Sequence, residues 1–177
     1  MKIPAPGDTA LVVLLPEDVS RQIDEWRRVY DPHYKIVPPH ITLAFPFIPE
    51  HEWPQKRTAL DICSKPFQTF DVTLKELKQF TGNPLVLWLK PEDSGNLIRI
   101  RTVLEEQFPD YFINAEFAFT PHLTIGFFDS EASLFQTKKE ISVELKPMYF
   151  KVSELIYMVL SNDNVWRHRD SIYLRRK

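Results

Sequence analysis

Hydrophobic positions along this chain follow two rhythms that alternate with each other. Ala10–Leu15 is a short apolar run rich in Val and Leu and reads as a buried strand. After Pro16, the residues Val19, Ile23, Trp26 and Tyr30 fall at i, i+4, i+7 and i+11. That spacing makes one stripe of an amphipathic helix, which Pro32 closes. Ile41–Phe47 alternates cleanly and Phe67–Leu77 more loosely, as half-buried strands do. Between them, Glu50–Ser64 reads as a helix with a thin apolar stripe of Trp53, Leu60 and Cys63. Leu85–Leu89 is then a strand, and Leu97, Ile100, Leu104 and Phe108 share one helical face. Phe117–Phe128 reads as a strand whose first part is confined to an edge or bend by Pro121. Ser130–Lys139 is a helix, and Lys151–Leu160 and Val165–Leu174 are strands.

A unit of strand, helix, strand, helix, strand therefore occurs twice, over roughly residues 9–80 and 84–175. Pro39-His40-Ile41-Thr42 aligns with Pro121-His122-Leu123-Thr124 at an offset of 82, and Phe70-Asp71-Val72-Thr73 with Phe150-Lys151-Val152-Ser153 at 80. Two copies indicate one α+β domain over residues 1–177, built as two pseudo-symmetric lobes with a cleft between them.

Composition narrows the classes of function. In 177 residues, 22 Lys and Arg against 24 Asp and Glu give a net charge of −2, which excludes a basic nucleic-acid coat and an acidic disordered tail. A hydrophobic content of 44%, with 13 Phe, 6 Tyr and 4 Trp, excludes intrinsic disorder. The four glycines, at 7, 82, 95 and 126, are too far apart for a dinucleotide fingerprint or a phosphate loop. Cys63 is the single cysteine and has no intramolecular partner. The longest apolar runs are far too short to span a membrane, and no apolar signal core follows Lys2, so a cytoplasmic location is the expectation. No obligate protein partner is evident.

The chemistry sits in the two Pro-His-x-Thr tetrapeptides. Alternate side chains of a strand face opposite sides. Ile41, Leu43 and Phe45 are thus expected to enter the core, while His40, Thr42 and Ala44 share the other face. In the same way Leu123, Ile125 and Phe127 point inward and His122, Thr124 and Gly126 outward. The small third residue of each set is expected to leave room for a ligand. One such histidine is more often structural than catalytic; two on matching strands favour function. Imidazole accepts or donates a proton near neutral pH, so two of them flanking a phosphodiester suit an in-line displacement, one as general base and one as general acid. Thr42 and Thr124 are placed to donate hydrogen bonds to the non-bridging phosphate oxygens. Metal binding is disfavoured because the motif faces carry only Thr, Ala and Gly beside the histidines. No cofactor is expected.

These motifs resemble the signature of the 2H phosphoesterases, the LigT-like or 2′-5′ RNA ligase family, whose members carry two His-x-Thr-x motifs. Here they are His40-Ile41-Thr42-Leu43 and His122-Leu123-Thr124-Ile125, with the opening Ala10–Glu17 and the stretch Pro38–Phe47 extending the likeness over essentially the whole chain. The resemblance implies antiparallel sheets lining a central cleft, with helices outside. It also implies catalytic His40 and His122, phosphate-binding Thr42 and Thr124, and hydrolysis or transesterification of cyclic phosphates or 2′-5′ linkages in nucleotides or RNA ends. Some members follow the second motif with a phosphate-binding Arg, where Phe127 stands in this chain. The alternative is a module that binds a nucleotide or RNA end in the same cleft without turning it over. A purely structural duplicated domain would instead bury both histidines in internal hydrogen bonds.

Other features are weaker. Trp166-Arg167-His168-Arg169 and Arg175-Arg176-Lys177 form a basic tail that reads as a solvated strand face before it reads as a phosphate contact. His33, Tyr34 and Lys35 lie in the loop before the first motif, within reach of a substrate base or equally plain loop residues. His51 reads as an exposed helix residue, and Lys138-Lys139 as solvated surface.

Overall fold

The computed structural model describes residues 4–112 and 118–176. In chain order the elements are β1 (Thr9–Leu14), α1 (Glu17–Tyr30), β2 (His40–Ala44), α2 (Trp53–Ser64), β3 (Phe70–Phe80), β4 (Leu85–Glu92), α3 (Asn96–Gln107), β5 (Leu123–Phe128), α4 (Glu131–Glu144), β6 (Met148–Val152), β7 (Glu154–Leu160) and β8 (Trp166–Tyr173). The α+β reading holds, with two four-stranded antiparallel sheets ordered β2-β1-β7-β8 and β5-β4-β3-β6.

Local chemistry explains the boundaries. Glu17 and Asp18 open α1 and Arg27 and Arg28 close it, matching the helix dipole at both ends. The Ser130 hydroxyl caps α4 by accepting the Ser133 N–H at 3.2 Å. Residues 50–52 form turns, so α2 starts at Trp53 with Pro54 in its first turn, and His51 lies in that turn instead of on the helix. Lys151–Leu160, expected as one strand, is two: Ser153 breaks the run between β6 and β7. The strand expected from Phe117 begins only at Leu123, after Pro121, and Phe117 lies outside the described residues.

The sheets are not one per half of the chain. β1 and β2 join β7 and β8, while β3 crosses to pair with β4 and β6. The stretches aligned at an offset of 80 end side by side, with Phe70 opposite Val152 and Val72 opposite Phe150. The motif strands β2 and β5 instead take matching edge positions in different sheets. The crossover helices trade places too: α1 packs on β5 and α3 on β2. One large core gathers Leu11, Val13, Ile23, Ile41, Leu43, Leu87, Leu89, Leu123 and Ile125 beneath the helices. A second, smaller cluster of Ala10, Val12, Ile156 and Met158, with Leu14, Phe45 and Trp166 against it, covers the opposite face of the first sheet. No helix among the described residues is long and apolar enough to cross a membrane.

Candidate active site

β2 and β5 lie against each other where the two sheets meet. His40 opens β2 and His122 stands immediately before β5, so the topology brings the two motifs to one place. The rings are held identically. His40 Nδ1 donates to the Pro38 carbonyl and His122 Nδ1 to the Thr120 carbonyl, each at 2.8 Å and each two residues back. A carbonyl only accepts, so the proton of each neutral ring sits on Nδ1 and the lone pair on Nε2. Among the described residues, neither Nε2 has a protein partner, and neither threonine hydroxyl does. Both rings stay partly accessible, as groups recessed in a cleft do.

Burial pushes His40 down to about 4. The Pro38 bond works the other way; the Arg27 guanidinium and His122 add to the depression, and Asp31 offsets part of it. His122 is also lowered, by burial, against the Thr120 bond. Both shifts favour the neutral imidazole in the free protein. Its surroundings are aromatic: the His122 ring meets Phe80 edge-on at 5.0 Å and Trp88 at 5.9 Å, and those two stack on each other at 4.8 Å. The Trp88 indole N–H is buried without a partner among the described residues, so packing alone holds this wall.

Thr42 and Thr124 lie half-buried on the cleft face, paired across their sheets with Val12 and Trp88. The expected roles of Ala44 and Gly126 are corrected here. Val12 faces Thr42 but Leu11 faces Ala44, and Trp88 faces Thr124 but Leu87 faces Gly126. Leu43 and Ile125 are thus the extra residues of two bulges, and an extra residue reverses the alternation beyond it. Ala44 turns into the core. Gly126 turns toward α1, where an added Cβ would meet the Cβ of Tyr30 and lie 2.8 Å from its carbonyl oxygen. Neither leaves room for a ligand. Phe45 and Phe127, expected inside, come to the open face, where their rings touch Trp166 at 5.8 Å and His33 at 5.3 Å.

A buried charge network behind the first motif escaped the sequence reading. Arg27, 2% exposed, donates from Nε to Asp31 at 2.9 Å, from Nη1 to Asp24 at 2.9 Å and from Nη2 to the Val37 carbonyl at 2.8 Å. Its signal was present: an Arg on the α1 stripe, four residues after Ile23, with acids three before and four after it. Asp31 accepts the His33 backbone N–H at 2.8 Å and lies 3.4 Å from His33 Nδ1, which sets His33 at the edge of the cleft beside Phe127. Two cations of the basic tail are matched by acids: Arg167 pairs with Asp163 and Arg169 with Glu50. Lys177 lies outside the described residues. Among the described residues, no cluster of three or more His, Cys, Asp or Glu side chains is placed to hold a metal ion.

Residues 15–164 match the 2'-5' RNA ligase superfamily. The chain belongs to that superfamily. A Geobacillus kaustophilus protein described as a "putative phosphoesterase" is 30% identical over 118 residues, 66% of this chain and 66% of that protein, just short of two thirds of the relative's length. A Bacillus cereus protein with the same description is 33% identical over 119 residues, 65% of this chain and 67% of its own. Among solved structures, TT0787 of Thermus thermophilus superposes with a TM-score of 0.68 at 21% identity, covering 96% of this chain and 99% of that one. Escherichia coli LigT complexed with 3'-AMP gives 0.64 at 22% identity, with the same coverage. These likenesses show that the fold is shared.

Proposed function

We propose that this superfamily member cleaves phosphodiesters by hydrolysis or transesterification, with His40 and His122 as an acid–base pair and no metal in the step. The observation that carries the proposal is the doubled clamp, in which each Nδ1–H is committed to a carbonyl and each Nε2 is left free on neighbouring strands. The substrate class is a cyclic nucleotide phosphate or a 2'-5' linkage in RNA or a small nucleotide, in keeping with the superfamily and with the 3'-AMP held by LigT.

His40, depressed by burial and further by Arg27, is the base. Its Nε2 takes the proton of the attacking water or hydroxyl as the new P–O bond forms. His122 lacks that nearby guanidinium, so it is the ring that charges when the anionic diester arrives. Its Nε2–H then protonates the departing oxygen as the old P–O bond breaks. Thr42 and Thr124 hydroxyls donate to the non-bridging oxygens, where negative charge gathers. A module that only grips an anion gains from charged imidazoles, whereas burial here keeps both neutral until a ligand arrives.

The test is a panel of 2',3'-cyclic phosphates and 2'-5' and 3'-5' dinucleotides assayed with EDTA present. His40→Ala and His122→Ala are each expected to lower kcat by ~10²- to 10⁴-fold while substrate still binds. A folded His122→Ala protein with wild-type turnover on every diester, or loss of activity to EDTA, overturns the proposal. Undiminished binding with no turnover in the wild type leaves the binding module instead.

A further inference from the structure

Arg101 of α3 touches the first motif and the segment that leads into the second. Its Nη1 donates to the Leu43 carbonyl at 2.6 Å, the bulge residue directly after Thr42. Its guanidinium carbon lies 4.2 Å from the centre of the Phe112 ring and 5.1 Å from that of Phe119. Nε is engaged by Glu105 at 2.7 Å, and the side chain is only 14% exposed. Phe119 directly precedes Thr120, whose carbonyl fixes the His122 ring.

A planar cation is suited to this position. Its edge donates to a main-chain oxygen while its faces receive aromatic rings, a combination that lysine lacks. At a bulge, a carbonyl falls out of the regular ladder, and a buried one needs a donor from elsewhere. The same group that satisfies the first motif's strand thus anchors the segment leading into the second. Arg27 does not do this: its bonds run to Asp24, Asp31 and Val37, all on the approach to the first motif.

We infer that Arg101 is a positioning residue for the paired histidines, tying the Thr120 carbonyl, and through it the His122 ring, to the strand that carries His40 and Thr42. Its catalytic consequence rests on the proposed reaction; its effect on the ring does not. A misplacement of about 1 Å at a reacting group costs up to ~10²-fold in rate.

The experiment compares Arg101→Met and Arg101→Lys by kinetics and by ¹⁵N NMR of the histidine rings at neutral pH. In the wild type both rings read as Nδ1–H tautomers. In Arg101→Met the His122 ring is expected to move toward a mixture of tautomers, the His40 ring to stay, and kcat to fall roughly 10-fold with KM changing less than about threefold. Arg101→Lys keeps one donor and loses the stacking, so it recovers only part of kcat. Should Arg101→Met not fold, Phe119→Leu, which leaves the Leu43 bond in place, is expected to give the same His122 signature. Unchanged His122 nitrogen shifts in these variants overturn the inference. If His122→Ala proves fully active, the proposed reaction fails, and the ring shifts still decide the role of Arg101.

Discussion

His40 and His122 donate from the same ring nitrogen to a carbonyl two residues back, and each leads a bulged edge strand, yet their supports have little in common. Behind His40 stands a buried guanidinium between two carboxylates, which also holds the Val37 carbonyl on the approach to the motif. His122 is walled by Phe80 and Trp88, with Arg101 gripping the aromatics before it. The cleft faces beyond them differ as well: an apolar floor of Ala10, Val12, Ile156 and Met158 on one side, and Trp88 flanked by Thr124 and Lys78 on the other. Backbone symmetry leaves the same nitrogen free on both rings; in the proposed reaction, the unlike surroundings divide the labour.

The sharpest way to break that division is to vary the leaving group. A nitrophenyl ester departs without needing a proton, so His122→Ala is expected to lose less than ~10-fold on it but ~10²- to 10⁴-fold on a nucleotide diester. His40→Ala is expected to lose ~10²- to 10⁴-fold on both, since the nucleophile must be deprotonated in either case. Steady-state kcat on the two substrates reads the result. Equal losses for both variants on both substrates would remove the assignment of base and acid.

Arg27→Met tests the charged support. It leaves Asp31 buried and uncompensated, so urea unfolding is expected to show a loss of ~3–5 kcal/mol. The pH profile moves in a definite direction. With the guanidinium gone and the Asp31 carboxylate left, protonation of His40 becomes easier, so its limb in kcat/KM shifts to higher pH. A lower or unmoved limb in a folded variant would mean that Arg27 does not act on His40. Phe80→Leu, on the aromatic side, removes no charge and is expected to cost about 1 kcal/mol.

The order of elements, the paired motifs and the superfamily were legible because they rest on periodicity and on residue types that recur at matched positions. Val19, Ile23, Trp26 and Tyr30 announce α1 by spacing alone, and Pro32 ends it. The bulges at Leu43 and Ile125 were not legible, because an extra residue in a ladder leaves no mark when the residue is itself apolar. Strict alternation therefore misplaced Ala44, Phe45, Gly126 and Phe127. The break at Ser153 was hidden by apolar residues on both sides of it. Arg27 and Arg101 were passed over for a related reason. Both lie on their helix's apolar stripe, Arg27 four residues after Ile23 and Arg101 four after Leu97, where a lone charge reads as an interruption until its partners are placed around it.

The bulge correction is tested directly by comparing two positions that follow the threonines by the same count. Ala44 already carries a methyl group in the core, whereas Gly126 has α1 pressed against it at Tyr30. A methyl added at Gly126 meets main chain as well as side chain, and main chain at a helix end cannot step aside cheaply. Gly126→Ala is thus expected to cost ~1–3 kcal/mol, as overpacking does. Ala44→Gly loses one buried methyl and gains unfolded-chain entropy, for about 1 kcal/mol. The local consequence should cross the cleft. Tyr30 is followed by Asp31, which Arg27 holds, so displacing it disturbs the loop that ends at Pro38 and the clamp on His40. The ¹⁵N shifts of the His40 ring should move in Gly126→Ala, although the substitution lies four residues from His122 in sequence. A Gly126→Ala protein with a wild-type urea midpoint would restore the open-face reading of Gly126, and with it the space for a ligand beside Thr124.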